Sequence, residues 1–450
     1  MKEFINNRNP VLPPEYHIPD AEAHVMPDGR VYVYGSYDDL PGEYCSDRYY
    51  VVSSADLEHW RISDVSFCSA EVPWFHDPDA PRYPGGVDWM HPTPFLQKMI
   101  RRILENRSGN AAGPADAGRV RKELLLYAPD CIYSGGRYYL YFCGSDDSEG
   151  AAVSDSPEGP FRDPVRLPCG GIDPAVFTDD DGQSYYYWGQ IHARGVKLNP
   201  DMVSFEEKDV RDPLLTEEEH GFHEGSSLRK INGTYYYIYA GVERDRPTTL
   251  SYATGPSPFG PFTHQGVIID NAACDPACWN NHGSIECIHG QWYVFYHRSS
   301  RGSEQHRRLC IEPIEIREDG SIPEVKMTSQ GAGKPFGPGE RVMGYQACEL
   351  HGQVYIDADE ACAEKLTHIS AGDEALFRYV ESPGDFAEIT VKAQGSGVME
   401  IMMNGKRAGE VHIVHGVQTG GALHMPAGRY ELALHFLHAD KLEVWYFSLR

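Results

Sequence analysis

Gly29-Arg-Val-Tyr-Val-Tyr is a phrase that the chain repeats four more times, as Gly136-Arg-Tyr-Tyr-Leu-Tyr, Gly182-Gln-Ser-Tyr-Tyr-Tyr, Gly233-Thr-Tyr-Tyr-Tyr-Ile and Gly290-Gln-Trp-Tyr-Val-Phe. Each copy reads as a β-hairpin: glycine supplies a turn with positive φ, and the run of Tyr, Val and Phe suits a half-buried pleated strand. The last four copies start 46, 51 and 57 residues apart. That is the spacing of four-stranded propeller blades, not of βαβ units. Five copies predict five blades of an all-β propeller.

The chemistry stands just upstream of these glycines. Asp20, Asp173 and Glu224 each lie nine residues before their glycine, Asp130 lies six before Gly136, and His282 lies eight before Gly290. Equivalent positions on the blades of a propeller face one another across the axis, so these groups meet at one mouth. Gathering that much like charge opposes folding, and a fold has no stability reason to do it. Capping a turn or pairing with arginine is the plain alternative, and it fits Asp130 better than the other three.

The 66 acidic and 40 basic residues give a net charge of −26. With no long Lys/Arg run, a nucleic-acid partner is excluded. The 28 tyrosines suit both strands and a sugar site, where rings stack on sugar faces. The first residues have no apolar core of signal-peptide length and no stretch approaches a membrane span, so a membrane is not an expected partner. Eleven cysteines, odd in number and scattered, read as reduced thiols in a cytoplasmic protein.

Residues 1–330 are therefore expected to form the propeller. Its regular spacing breaks at 71–125, an insertion that opens with Trp74-Phe-His-Asp and carries helical periodicity over 95–104. It either folds over the mouth, where Trp74, His76 or Trp89 shape a pocket wall, or packs on the side of the propeller. A second repeat, Ser154-Asp-Ser-Pro-Glu-Gly-Pro-Phe and Thr254-Gly-Pro-Ser-Pro-Phe-Gly-Pro-Phe, follows the glycine phrase in two blades. After a Gly/Pro-rich linker, residues 331–450 alternate in short runs and predict a small β-sandwich.

The phrases Ile18-Pro-Asp-Ala-Glu-Ala-His, Tyr127-Ala-Pro-Asp-Cys, Gly171-Ile-Asp-Pro-Ala-Val-Phe, His223-Glu-Gly-Ser and Asn281-His-Gly-Ser-Ile resemble the blade motifs of glycoside hydrolase family 43. The resemblance spans about residues 10–325. It implies a five-bladed hydrolase acting with inversion, most often on arabinose- and xylose-containing polymers. By the same resemblance Asp20 is the general base, Glu224 the general acid, and Asp173 the acid that orients Glu224 and tunes it. Asp130 and Trp74 are further candidates for sugar contact. His282 would be the axial histidine that in many members holds calcium, and Arg307 would reach the sugar at the base of the pocket. No organic cofactor is implied. Residues 331–450 resemble family 6 carbohydrate-binding modules in Ile369-Ser-Ala-Gly-Asp and Leu442-Glu-Val-Trp-Tyr-Phe-Ser-Leu, with Trp445 and Tyr446 as possible sugar contacts and a buttress for the propeller as the other role.

The residues themselves suit inverting hydrolysis, which needs one protonated carboxyl for the leaving oxygen and one ionised carboxyl for a water, about 6.5–9.5 Å apart. The expected substrates are arabinoxylan- or xylan-derived oligosaccharides or polysaccharides. Galactofuranose or galactan linkages fit the same acids, because these act on the scissile oxygen whatever the sugar. A non-catalytic sugar-binding propeller is the alternative from another class, disfavoured by retention of all three acids.

Overall fold

The structure is a computed structural model that describes residues 1–39, 42–77, 79–80, 124–359, 363–384, 386–414 and 419–450. Trp89, the periodic stretch 95–104 and most of the 71–125 insertion lie outside these residues. Five antiparallel sheets follow one another along the chain. Blade one runs Glu22–Val25, Val31–Tyr34, Val51–Ser54 and His59–Ile62, and blade two Asp130–Ser134 to Arg162–Gly170. Blade three runs Ala175–Thr178 to Arg211–Thr216, blade four Phe222–Ile231 to Thr263–Asp270, and blade five has only Ser284–Ile288, Gln291–Ser300 and Ser303–Ile314. All five repeat glycines, Gly29, Gly136, Gly182, Gly233 and Gly290, have φ between 81° and 90°. Those are the hairpin turns that the repeat predicts.

The tyrosine-rich strands are second in each blade, where both faces pack on neighbouring sheets. Tyr186, Tyr187, Tyr237 and Tyr239 are fully buried. A buried phenol needs a partner, and the second repeat supplies one. Tyr34 donates to the Pro157 carbonyl at 2.8 Å and Tyr187 to the Pro258 carbonyl at 2.9 Å. Each turn phrase thus accepts a hydrogen bond from the preceding blade, which joins adjacent blades by polar as well as apolar contact.

The ring closes at its start. Ala21 bridges Gly283 in parallel, the Val11 amide donates to the Leu309 carbonyl at 2.9 Å, and Lys2–Ile5 pairs with His59–Ile62 as the outer strand of blade one. The first twelve residues therefore tie blade five to blade one.

Residues 341–449 form the second all-β unit, nine antiparallel strands linked into one hydrogen-bonded sheet around its own apolar core. Its centre is two long strands, Phe386–Met403 and Gly428–Leu449, whose repeated register shifts bend them round that core. Trp445 and Tyr446 do not offer bare rings: Lys365 stands 4.9 Å over Trp445 and Arg341 4.7 Å over Tyr446. Leu376, Ala433 and Cys348 share a cluster with Ile268, Ile285 and Val294 of blades four and five. Glu364 forms a fully buried ion pair with Arg308 of blade five. No helix among the described residues is long and apolar enough to cross a membrane. Ten cysteines among them are unpaired.

Candidate active site

Asp20 and Asp173 each sit just before the innermost strand of their blade, and both adopt φ of 56°. Asp tolerates this left-handed conformation better than most residues. The same turn in two blades aims both carboxyls into one cavity of about 250 Å³, which Glu224, His282 and Arg307 also line. Four of the expected site residues and the axial histidine are thus brought together.

Their charges are balanced unequally. Arg307 donates from Nη1 to Asp20 Oδ1 at 2.8 Å and binds Asp38 through Nε and Nη2, each at 2.9 Å. His282 Nδ1 and His297 Nδ1 stand 3.7 and 3.4 Å from the same Asp20 oxygen. Burial would raise the Asp20 pKa, but Arg307 and the two histidines hold it below the ordinary carboxylate value. Asp173 is the opposite case. Burial, with the negative charges of Glu224 and Asp20, pushes its carboxyl well above the ordinary value. The resemblance makes Asp173 the group that raises Glu224; here the raised carboxyl is that of Asp173 itself.

Glu224 is held by the residues around it. Gln190 Nε2 donates to its Oε2 at 2.7 Å, and His223 Nε2 faces that oxygen at 3.9 Å. Gly225 has φ of 75° and passes so close to His282 that a Cβ would lie 2.8 Å from the ring. The Glu-Gly pair of the motif therefore has a packing reason.

Two expected sugar contacts are placed elsewhere. Asp130 does not line the cavity: it accepts from His24 Nε2 and the Val176 amide, both at 2.7 Å, and is 1% exposed. The capping and pairing alternative holds for it. Trp74 lies on the side of blade two, parallel to Phe142 with centroids 5.9 Å apart, and donates to Ser148 Oγ at 2.9 Å. Its ring is consumed by packing, so it forms no part of the cavity wall. The register at Arg307 is settled by strand alternation: Arg307 points to Asp20, whereas Arg308 points away and pairs with Glu364.

Calcium was expected at His282. Among the described residues, the one group of three potential ligands within 4.8 Å of one another is Glu22, His24 and Asp130. His282 is outside that group, and its Nδ1 lies between Asp20 and Asp173 instead. Glu22 opens the innermost strand of blade one, two residues after Asp20, and is itself buried. Its Oε2 is buried without a hydrogen-bond partner, while its Oε1 accepts from Arg229 at 2.8 Å. Two carboxylates with one unused oxygen suit a hard cation better than a lone imidazole does.

The residues not anticipated from the sequence are Tyr44, Tyr127, Trp279, Gln190 and the Glu217–His223 pair, and of these all but Glu217 line the cavity. Trp279 and His223 stand beside motifs already singled out, at three and one residues from His282 and Glu224. Tyr44 and Gln190 lie in loops with no repeat to mark them.

A family model, glycosyl hydrolases family 43, matches residues 106–322. A xylosidase/arabinosidase of Thermoclostridium stercorarium is 32% identical over 90% of each chain. A β-xylosidase of Xylanibacter ruminicola is 29% identical, over 70% of this chain and 98% of its own. Among solved structures, a β-xylosidase/α-arabinofuranosidase of the same family from a compost microbial metagenome, in complex with xylotriose and calcium-free, matches with a TM-score of 0.54 and 27% identity, over 72% of this chain and 99% of its own. Motifs in every blade, closure into five sheets and full-length likeness agree: the chain belongs to glycosyl hydrolase family 43 and is a glycoside hydrolase.

Proposed function

We propose that the protein releases arabinofuranose or xylose, with inversion, from arabinoxylan- or xylan-derived oligosaccharides. The observation that carries this reading is the split among three acids in one cavity. Asp20 is held below the ordinary carboxylate value by Arg307, while burial and the charges of Glu224 and Asp20 hold Asp173 well above it. Asp20 then deprotonates the attacking water, and Glu224 protonates the leaving oxygen from the other side. Asp173, whose carboxyl senses the Glu224 charge, orients Glu224 for that transfer. The cavity, about 250 Å³, is below the ~300–1,000 Å³ of pockets for drug-sized ligands and suits one sugar ring. Trp279, Tyr44 and Tyr127 supply aromatic surface for it. The named activities of the relatives favour pentoses.

The test is a proton NMR time course with arabinose-decorated xylo-oligosaccharides. Free arabinose marks an arabinofuranosidase and shortening to xylose a xylosidase, each appearing first as the inverted anomer. Release of the retained anomer, or of neither sugar, overturns the proposal.

Glu22, His24 and Asp130 would hold a calcium ion beneath this site, with Glu22 Oε2 as the free ligand oxygen. Its chemistry there would be electrostatic, a positive charge under the acids. Calcium added to EDTA-treated protein should raise Tm in the wild type and not in Glu22→Gln; an equal rise in both would remove the site.

A further inference from the structure

Behind Glu224 stands a second carboxylate–histidine pair. His223 is the neighbour of Glu224 on the same strand, is 7% exposed, and has its ring between two acids. Its Nδ1 lies 3.4 Å from Glu217 Oε1 and its Nε2 3.9 Å from Glu224 Oε2. Glu217 opens a four-residue helix, Glu217–His220, whose Thr216 cap accepts from the Glu219 amide. Three separate segments meet at Ile191: its amide donates to the His223 carbonyl at 2.6 Å, and its own carbonyl accepts from the Glu217 amide at 2.9 Å. Gln190, next in the chain, donates to Glu224 Oε2. Gln190, Glu217 and His223 are thus fixed relative to one another by backbone, and two of them face the same oxygen of Glu224.

We propose that His223, braced by Glu217, is a positioning residue that together with Gln190 holds Glu224 Oε2 as an acceptor and so places the transferable proton on Oε1. The argument rests on Glu224 being the general acid. An amide N–H can only donate, and an imidazole whose Nδ1–H is given to Glu217 while Nε2 carries its own proton also only donates. Gln190 donates to Oε2 at 2.7 Å and His223 presents Nε2 to the same oxygen from 3.9 Å, beyond hydrogen-bond length, so Oε2 is the oxygen turned to the donors. The acid's hydrogen then sits on the oxygen turned from both.

Burial alone would neutralise His223, but Glu217 and Glu224 together hold its pKa above the ordinary value. The groups facing His223 are these two acids. Those facing Glu224 are Asp173, His282 and Tyr44 besides His223 and Gln190. The Asp173 carboxyl and the His223 imidazole thus act on Glu224 with opposite charge.

The test uses the whole enzyme, an oligosaccharide substrate and an aryl glycoside whose leaving group needs no proton. In His223→Gln a positive charge facing Glu224 is lost, and losing a nearby cation favours the protonated form of a carboxyl. The alkaline limb of kcat/KM should move up by about half to one pH unit. With the oligosaccharide kcat should fall about tenfold, and with the aryl glycoside less than about twofold. Glu217→Gln, on a different element, should shift the limb the same way by letting His223 lose its charge, and the double variant should shift it no further than His223→Gln alone. An unmoved limb with equal loss on both substrates would mean that His223 only fills space, and would overturn the inference. Glu224→Gln separates the two proposals: if it too spares neither substrate preferentially, the assignment of Glu224 as general acid fails first.

Discussion

The mouth of the propeller and the channel just beneath it contain the same kind of buried acid, treated differently. In the channel, Arg229 pairs with Glu22 and His24 with Asp130, and Asp130 takes a backbone amide as well, yet burial and the Asp130 charge still raise Glu22 to about 7. At the mouth, Arg307 is spent on Asp20 and Asp38, and burial with the charges of Glu224 and Asp20 leaves Asp173 well above the ordinary carboxylate value. A counter-ion does not by itself offset burial, as Glu22 shows. What sets the mouth apart is that its acids line a cavity, which Glu22 and Asp130 do not. Access to a sugar selects the role.

The largest test of that contrast compares single neutralisations in the two layers. Asp20→Asn or Glu224→Gln should lower kcat by a factor of about 100 or more. Asp130→Asn should leave kcat within about fivefold, and instead lower stability by ~1–3 kcal/mol as its donors lose a charged acceptor. Chemical denaturation together with initial rates on the oligosaccharide would show which loss each variant carries. A catalytic collapse in Asp130→Asn would erase the distinction between the layers.

Next in size is the counter-ion itself. Arg307→Lys keeps the charge but cannot reach Asp20 and Asp38 with the same fork of donors. The Asp20 pKa is depressed mainly by Arg307, so weakening that contact raises it, and the base becomes protonated at higher pH. The acidic limb of kcat/KM should therefore move up, by about one unit, with roughly a tenfold fall near the original optimum. An acidic limb that stays in place would show that Arg307 is not what keeps Asp20 ionised.

Asp173 allows a stability test of opposite sign. Its folded-state pKa is raised, so the folded protein binds a proton that the unfolded chain has released once pH passes the ordinary carboxylate range. Its contribution to stability is full below that range and declines as pH rises. Asp173→Asn should be more stable than the wild type at pH 7, equally stable near pH 4, and slower in turnover. A wild-type advantage at pH 7 would mean that the Asp173 charge is stabilised in the fold by something other than the groups named.

Much of this was legible in the sequence, because a propeller writes its topology as a repeat. The glycine phrase located every hairpin, and the acids nine residues upstream located the mouth, since one inward-facing position recurs in each blade. Asp130 broke that register at six residues, and it is the acid that falls in the channel. What could not be read was whatever depends on a contact between blades. That Arg307 has two carboxylate partners from blade one, or that Glu217 backs His223, leaves no trace in spacing. The lengths of the two central strands of the second unit were likewise hidden, because bulges in long strands look like the ends of short ones.

The smallest expected effect concerns Trp74, where sequence and structure part most clearly. A tryptophan opening an insertion beside a sugar site invites a role in binding. Here its indole lies parallel to Phe142, and the space over Gly150 is so filled that a Cβ there would come within 2.7 Å of the indole. Trp74→Phe keeps an aromatic ring against Phe142 and loses the single hydrogen bond to Ser148. That should remove ~0.5–1.5 kcal/mol of stability. KM and kcat should stay within about twofold, since a residue that lies outside the cavity has no sugar to lose. A rise in KM of tenfold without loss of stability would return Trp74 to the pocket wall and would mean that the insertion does reach the mouth.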